Sequence, residues 1–296
     1  MSTASRLALG TVQLGKDYGI ANNSGRPDDA EADEILLSAW RFGFRWLDTA
    51  QNYGDSEVRI GTFLRANPEI DYAVATKLAP NLDITYKPTV LAAMAESKKR
   101  LGRTPAVTFL HDPEQLGRWS VGAGQALVLG RNRGLTLDLG VSVYSPEEFS
   151  LAIDNPDISF IQAPFNALDP RLIESGLMAR AIKSNKKIFI RSIFLQGLLL
   201  CSPDKLSSKM SFAAPYVSAF HDLCRDAGLS PAELAIRYVA QAAPRALLII
   251  GCETSNQLRQ NARYIAREDL DDQLIRRIST LPFGGPKLVN PYLWNR

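Results

Sequence analysis

LDTAQNYGDSE, residues 47–57, ends a predicted buried strand at Asp48 and places Tyr53 five residues later. The next two predicted strands also end in polar residues, with Lys77 closing VATK and His111 closing FLH. Polar residues that leave successive parallel strands on one side converge where the sheet closes into a barrel, whose active sites lie at the carboxyl-end rim. A phenol beside an ammonium and a carboxylate is suited to donating a proton to an oxygen at neutral pH.

The rest of the chain supplies the strands that a closed barrel needs. Short apolar runs alternate with helical patterns and predict strands at about 6–13, 45–49, 72–77, 106–111, 135–143, 158–163, 187–193 and 246–251. Helix starts are predicted at the capping residues Ser145, Ser230 and Thr254. We find no composition break or linker. The sequence therefore predicts an α/β fold, a (β/α)8 TIM barrel formed by residues 1–296 as a single domain.

Composition narrows the functional class. The 296 residues include 34 basic and 31 acidic ones, a net charge of +3 that is too balanced to indicate nucleic acid or an anionic membrane as partner. The three cysteines match no metal motif, and residues 1–6 contain no long apolar core, so we expect no export signal. We expect a cytoplasmic protein with reduced thiols, a monomer or small homo-oligomer, with no membrane span.

The motifs of this chain resemble those of the aldo-keto reductases. They follow one consistent order over most of the length: LGT (9–11), LDTAQNYGDSE (47–57), ATK (75–77), LHD (110–112), GVSVY (140–144), QAPFN (162–166), FLQG (194–197) and IGCETSNQLRQN (250–261). DYGIANNSG at 17–25 is similar to the version in bacterial members. The resemblance implies a barrel that binds NADP(H), less often NAD(H), across its carboxyl-end rim, uses no metal, and acts on a small carbonyl compound.

The resemblance assigns the catalytic roles to Asp48, Tyr53, Lys77 and His111. Hydride addition to a carbonyl carbon leaves negative charge on the oxygen, which Tyr53 would quench as general acid. Because a free phenol has a pKa near 10, we expect the Lys77 ammonium to lower it. Asp48 would pair with Lys77 and fix its position. His111 would direct a ring N–H at the carbonyl oxygen.

The resemblance also implies cofactor-binding positions along the rim: Gly10, Thr11, Ser142, Gln162, Arg191, Ser192, Phe194, Gly197, Gly251 and Asn261. Ser142 and Gln162 would hold the nicotinamide carboxamide. The helix start near Thr254 would offer N–H groups to a phosphate. No Gly-x-Gly-x-x-Gly follows the first strand, so the sequence does not support a Rossmann fold.

Several positions depart from the family pattern. Val143 stands where many members have an asparagine, and Arg191 where many stack an aromatic ring on the nicotinamide. We expect Arg191 either to stack as a planar cation or to pair with a substrate or phosphate anion.

The adenosine end departs as well. Better-known members bind the 2′-phosphate with a lysine and an arginine, and this chain has Gly251 and Gln257 at those positions, with Glu253 nearby. Arg259 or Arg263 would have to take over the contact with the phosphate. NADP(H) remains the family expectation. A carboxylate near the adenosine ribose would suit NAD(H) instead.

Rim loops and the C-terminal tail supply the expected substrate contacts: Gln13, Tyr18, Trp119, Tyr144, Tyr292 and Trp294. The aromatic tail from Phe283 either folds over the pocket or packs on the barrel flank. The segment 194–216 is longer than a minimal barrel loop, and we expect it to cover a ligand.

The sequence thus predicts a nicotinamide-dependent reductase of an aldehyde or ketone, with a sugar-like compound among the options. The alternative is a nucleotide-binding regulatory subunit of the same fold with little turnover, like the potassium-channel β subunits that resemble this family. A metal-dependent barrel enzyme is disfavoured, because two histidines without clustered strand-end carboxylates make a poor metal cage.

Overall fold

Eight parallel strands in the described part of the chain close into a barrel, in which β1 pairs with both β2 and β8. The computed structural model describes residues 6–22, 25–80, 82–83, 85–120 and 122–294, without the side chains of Gln115, Arg118, Ala123 and Tyr292. The strands are β1 Leu7–Gly10, β2 Trp46–Asp48, β3 Ala73–Lys77, β4 Val107–Leu110, β5 Asp138–Ser142, β6 Phe160–Pro164, β7 Lys187–Arg191 and β8 Leu247–Gly251. The predicted (β/α)8 barrel is confirmed.

Helices connect the strands: α1 Val12–Gly15, α2 Asp29–Arg41, α3 Ser56–Ala66, α4 Lys87–Leu101, α5 Ala123–Asn132, α6 Pro146–Asp154, α7 Arg171–Glu174, α8 Leu177–Lys183, α9 Ala214–Asp226, α10 Pro231–Ala242, α11 Ser255–Ile265, α12 Asp272–Ser279 and α13 Gly285–Val289. 3₁₀ helices occupy Pro113–Arg118, Leu198–Leu200, Pro203–Lys205, Ser208–Ala213 and Pro291–Leu293. Within the described ranges, no helix combines the length and the apolar character that crossing a bilayer requires.

Side-chain caps start the helices where the sequence predicts them. The hydroxyl oxygens of Ser145, Ser230 and Thr254 each accept the backbone N–H of the residue three positions later. Such a bond satisfies one of the donors that every helix leaves open at its first turn. The caps therefore set the points at which α6, α10 and α11 leave the barrel rim.

Aromatic rings fill the barrel interior. The ring centroid of Phe189 lies 5.2 Å from that of Trp46, 5.8 Å from Phe109 and 5.7 Å from Phe160. Gly140 provides the space, since a Cβ at this position would lie 2.5 Å from the Phe109 ring. The interior is a packed core rather than a pore, as expected of an eight-stranded barrel.

A second layer of inward-facing residues, which we call the rim layer, lies at the carboxyl ends of the strands. Side chains alternate across a strand, so the residue two positions after each interior residue also faces inward. The rim layer consists of Gly10, Asp48, Lys77, His111, Ser142, Gln162, Arg191 and Gly251. The apolar layer of the barrel interior is thus followed, at the carboxyl ends of the strands, by the mostly polar rim layer.

Two strands, β1 and β7, end two or more residues earlier than the sequence predicts. After β1, the N–H and Oγ1 of Thr11 both donate to the carbonyl oxygen of Asp48, at 3.0 and 2.9 Å, and the chain turns into α1. After β7, Ser192 adopts a φ of 60° in the left-handed region, which ends the strand at Arg191. Both strands thus end early because the chain turns at the barrel rim.

Candidate active site

A cavity of about 770 Å³ opens at the carboxyl end of the barrel, and Asp48, Tyr53, Lys77 and His111 all line it. Asp48 and Lys77 are the last residues of β2 and β3, and His111 follows β4. Tyr53 lies in the turn between β2 and α3. The size is that of a typical small-molecule or cofactor site. The barrel therefore brings the four predicted side chains to one cavity.

Lys77 and Asp48 form a buried ion pair at the cavity floor. The Lys77 Nζ donates to Oδ1 and Oδ2 of Asp48 at 2.7 and 2.8 Å, and to the carbonyl oxygen of Thr49 at 3.1 Å. The two residues are only 1% and 4% exposed. Burial lowers the pKa of Lys77, while the Asp48 carboxylate opposes that shift. The pair is consequently a fixed feature of the core rather than a mobile surface contact.

The environment of Tyr53 corrects one expectation from sequence. Burial raises the pKa of the phenol, the Asp48 carboxylate raises it further, and the Arg191 guanidinium opposes them. The three donors of Lys77 are used on Asp48 and Thr49, and Nζ lies 5.0 Å from the Tyr53 ring centroid. The expected lowering of the Tyr53 pKa is therefore wrong for this geometry. The phenol keeps its proton at neutral pH.

His111 is neutral at physiological pH. Burial lowers its pKa to about 4, and the positive charges of Lys77 and Arg191 lower it in the same direction. An imidazole that is neutral carries one N–H donor and one acceptor nitrogen. His111 is thus suited to donating a hydrogen bond rather than a proton.

Two glycines fix the turn that carries Tyr53. A Cβ on Gly15, the last residue of α1, would lie 1.7 Å from the carbonyl oxygen of Tyr53. Gly54 has a φ of 58°, and a Cβ there would lie 2.2 Å from the carbonyl oxygen of Gly15. Gly54 belongs to the quoted motif, whereas no sequence pattern singles out Gly15. Their close approach sets the position of the phenol.

Replacement of Gly15 by Ala is expected to displace the Tyr53 turn. We expect the free energy of unfolding to fall by about 1–3 kcal/mol through overpacking, and kcat/KM to fall by about 10²-fold through misplacement of the phenol. Urea denaturation and steady-state kinetics measure the two effects. Gly117→Ala is the matched control, because a Cβ there meets no atom within 4 Å. Unchanged kinetics in Gly15→Ala would show that the turn tolerates displacement.

The cavity wall has the polar atoms that a nicotinamide requires. The buried Oε1 of Gln162 has no hydrogen-bond partner among the described residues, while its Nε2 donates to Asp48 at 2.7 Å. A buried acceptor without a partner fits the N–H groups of a carboxamide. The positions predicted for the cofactor all line this cavity: Gly10, Thr11, Ser142, Gln162, Arg191, Ser192, Phe194, Gly197, Gly251 and Asn261.

Arg191 is held against a tyrosine. Its Nη2 donates to the carbonyl oxygen of Val143 at 3.0 Å, and its Nη1 donates to Oγ of Ser192 at 3.3 Å. The guanidinium carbon lies 4.4 Å from the centroid of the Tyr144 ring, a cation–π geometry. Arg191 therefore contributes a fixed positive charge to the cavity, close enough to act on Tyr53, Lys77 and His111.

The loop after β7 meets the loop after β1 at the cavity. The backbone N–H of Ile20 donates to the carbonyl oxygen of Gln196 at 2.9 Å. A Cβ on Gly197 would lie 3.0 Å from that of Ala21, so the two loops are in close contact. Only the first part of the long segment 194–216 lines the cavity, through Phe194, Gln196, Gly197 and Leu200.

Among the predicted substrate contacts, Gln13, Tyr18, Tyr144 and Trp294 line the cavity. Trp119 does not. Its buried indole donates from Nε1 to Asp157 at 3.0 Å, below the rim, which corrects the expectation from sequence. The Tyr292 side chain lies outside the described residues. Asn290, Pro291 and Trp294 line the cavity, so the C-terminal tail folds over the pocket.

Comparison with known proteins agrees with this architecture. The sequence profile of the Aldo/keto reductase family matches residues 6–281. A D-threo-aldose 1-dehydrogenase from Pseudomonas sp is 28% identical over 308 aligned positions, covering 90% of this chain and 92% of the relative. The pyridoxal 4-dehydrogenase of Microbacterium luteolum is 24% identical and covers 91% and 92%.

A solved structure shares the fold. The glycerol dehydrogenase AKR11B4 from Gluconobacter oxydans superposes with a TM-score of 0.72 at 22% identity, covering 93% of this chain and 90% of that one. The barrel, the polar rim layer and the match along nearly the whole sequence lead to one assignment. The chain belongs to the aldo/keto reductase family.

Proposed function

We propose that this protein is an NAD(P)(H)-dependent oxidoreductase that reduces an aldehyde or ketone, sugar-like compounds included, to an alcohol, with Tyr53 as general acid. Membership of the family supports oxidoreductase activity on aldehydes, ketones or sugars. The observation that carries the proposal is the protonated phenol of Tyr53 beside the buried Lys77–Asp48 pair, in one cavity with His111 and the unpaired amide oxygen of Gln162.

The nicotinamide, when bound, supplies or accepts the hydride. Gln162 and Ser142 would hold its carboxamide, and Gly10 allows close backbone approach. Sequence resemblance favours NADP(H), with NAD(H) as the alternative. An aldo/keto reductase from Klebsiella pneumoniae solved with NADP and acetate shares the fold, with a TM-score of 0.69, and supports a nicotinamide dinucleotide in broad terms.

The residues divide the proton chemistry among them. Tyr53 keeps its proton until negative charge develops on the carbonyl oxygen, and then transfers it from the phenol oxygen. The phenolate that results lies near the Lys77 ammonium and the Arg191 guanidinium, which stabilise it. Neutral His111 donates its N–H to the same oxygen and orients the carbonyl.

Substrate preference is proposed from the cavity wall and from the relatives. Two curated relatives are named for dehydrogenating an aldose and pyridoxal, and the glycerol dehydrogenase shares the fold. Gln13, Tyr18 and Tyr144 provide polar groups along the wall, and Trp294 adds an aromatic one. These contacts suit a small carbonyl compound that carries hydroxyl groups.

Turnover assays test the proposal. Purified protein is incubated with NADH or NADPH and a panel of aldoses, sugar-derived aldehydes and aromatic aldehydes, and loss of the reduced cofactor is followed by absorbance. We expect turnover of at least one class. Tight nucleotide binding with negligible turnover and a co-purifying partner would favour the alternative, a regulatory subunit; the complete set of four side chains argues against it.

A further inference from the structure

The positively charged side chains of the cavity lie close to two of its tyrosines. Lys77 and Lys16 both have Nζ close to the Tyr53 ring, at 5.0 and 5.7 Å from its centroid, and Arg191 stacks on Tyr144. Among the described residues that line the cavity, these are the only lysines and arginines. The basic side chains therefore lie beside Tyr53, the residue at which we place the proton transfer.

The part of the cavity wall formed by β8 and α11 contains a carboxylate. Gly251, Glu253, Gln257, Gln260 and Asn261 line the cavity there. None of these residues is a cation, and Glu253 is an acid. A dianionic group such as a phosphate monoester would meet the negative charge of Glu253 beside β8 and α11. The described lining residues of this part of the wall include no lysine or arginine that would offset that charge.

At the start of α11, two backbone N–H groups donate to side-chain oxygens of the same segment. Oγ1 of Thr254 accepts the N–H of Gln257 at 3.2 Å, and Oε1 of Gln257 accepts the N–H of Glu253 at 2.8 Å. Both N–H groups are consequently satisfied without a ligand. The expectation that the start of α11 offers N–H groups to a phosphate stays a prediction for the other donors of its first turn.

The arginines considered as substitutes do not reach the cavity. Neither Arg259 nor Arg263 lines it, and Nη2 of Arg259 donates to Oδ1 of Asn256 at 2.7 Å on the exposed face of α11. Gly251 and Gln257 also leave without a cation the two positions that bind the 2′-phosphate in better-known members. The β8–α11 segment therefore has no lysine or arginine, among its described residues that line the cavity, to pair with a 2′-phosphate.

We propose that this segment selects NAD(H) over NADP(H), and that Glu253 is the specificity-determining residue. The carboxylate is suited to accepting a hydrogen bond from the 2′-hydroxyl of the adenosine ribose, and it repels a phosphate at the same position. The inference rests on the proposed function, since it assumes that the cavity binds a nicotinamide dinucleotide.

Fluorescence titration of the purified protein with NADH and NADPH tests the inference without requiring a substrate. We expect NADH to bind about tenfold to a hundredfold more tightly, the range of a hydrogen bond to a charged group. Glu253→Gln should reduce the ratio of the two affinities, because it weakens the binding of NADH and strengthens the binding of NADPH. Gln257→Arg should strengthen NADPH alone, since it adds a cation to the same helix.

Arg259→Gln is the matched control on α11. We expect it to leave the dissociation constants of both nucleotides unchanged, because Arg259 faces away from the cavity. Equal affinity for NADH and NADPH, or a loss of NADPH binding confined to Arg259→Gln, would overturn the inference and leave the proposed function standing. Binding of neither nucleotide would overturn both.

Discussion

Tyr53→Phe is expected to lower kcat for carbonyl reduction by about 10² to 10⁴, the usual contribution of a positioned proton donor. The substitution removes only the hydroxyl and leaves the ring beside Lys77 in place. Nucleotide binding should therefore persist. Steady-state kinetics with the best aldehyde of the panel measures the first effect, and fluorescence titration measures the second.

A control variant separates this effect from general damage. Tyr264 lies on α11, outside the cavity, with its hydroxyl 3.4 Å from Oγ of Ser230. Tyr264→Phe removes the same atom from a different site and should leave kcat unchanged. Retention of most of the activity in Tyr53→Phe would exclude the phenol as the acid, even if the protein proves to be a reductase.

The pH profile gives a second view of the same acid. The pKa of His111 is lowered to about 4 and that of Tyr53 is raised above its ordinary value. Between these limits neither group changes its protonation state. The kcat/KM of reduction should therefore be flat across neutral pH and fall on the alkaline side, where Lys77, whose pKa burial lowers, and then Tyr53 lose their protons. A limb near pH 6.5 would indicate a histidine with an unperturbed pKa instead.

Strand periodicity explains why so much of this site follows from sequence. Each interior residue is succeeded, two positions later, by a rim residue, so Asp48, Lys77 and His111 were predictable from the ends of apolar runs. The barrel itself follows from the number and order of those runs. Alternation along a strand is a local property, and a sequence shows it directly.

Contacts between distant loops were not predictable in the same way. The approach of Gly15 to the Tyr53 turn depends on how α1 packs against the chain some forty residues later, which no local pattern encodes. The direction of the Tyr53 pKa shift was not predictable, because the sequence does not show how deeply the phenol is buried or that the donors of Lys77 are used on Asp48 and Thr49. Trp119 was misplaced because an aromatic residue after a strand packs inward as readily as it lines a pocket.

Lys77→Met is expected to cost about 3–5 kcal/mol of unfolding free energy, because it leaves the Asp48 carboxylate buried without its counter-charge. Gln162 still donates to Asp48 at 2.7 Å, but a single amide hydrogen bond does not replace an ammonium. Urea denaturation measures the loss as a lower midpoint at an unchanged slope. Activity should fall as well, since the phenolate of Tyr53 loses a neighbouring cation.

The double variant Asp48→Asn/Lys77→Met separates the loss of stability from the loss of activity. Removing both charges eliminates the uncompensated carboxylate, so we expect much of the lost stability to return. Activity should stay low, because the cation near the Tyr53 ring is still missing. Recovery of stability without recovery of kcat would show that the pair acts on the reaction and not only on the fold. If Lys77→Met costs less than about 1 kcal/mol, the pair is no stronger than a solvated surface bridge, and its proposed role at the site fails.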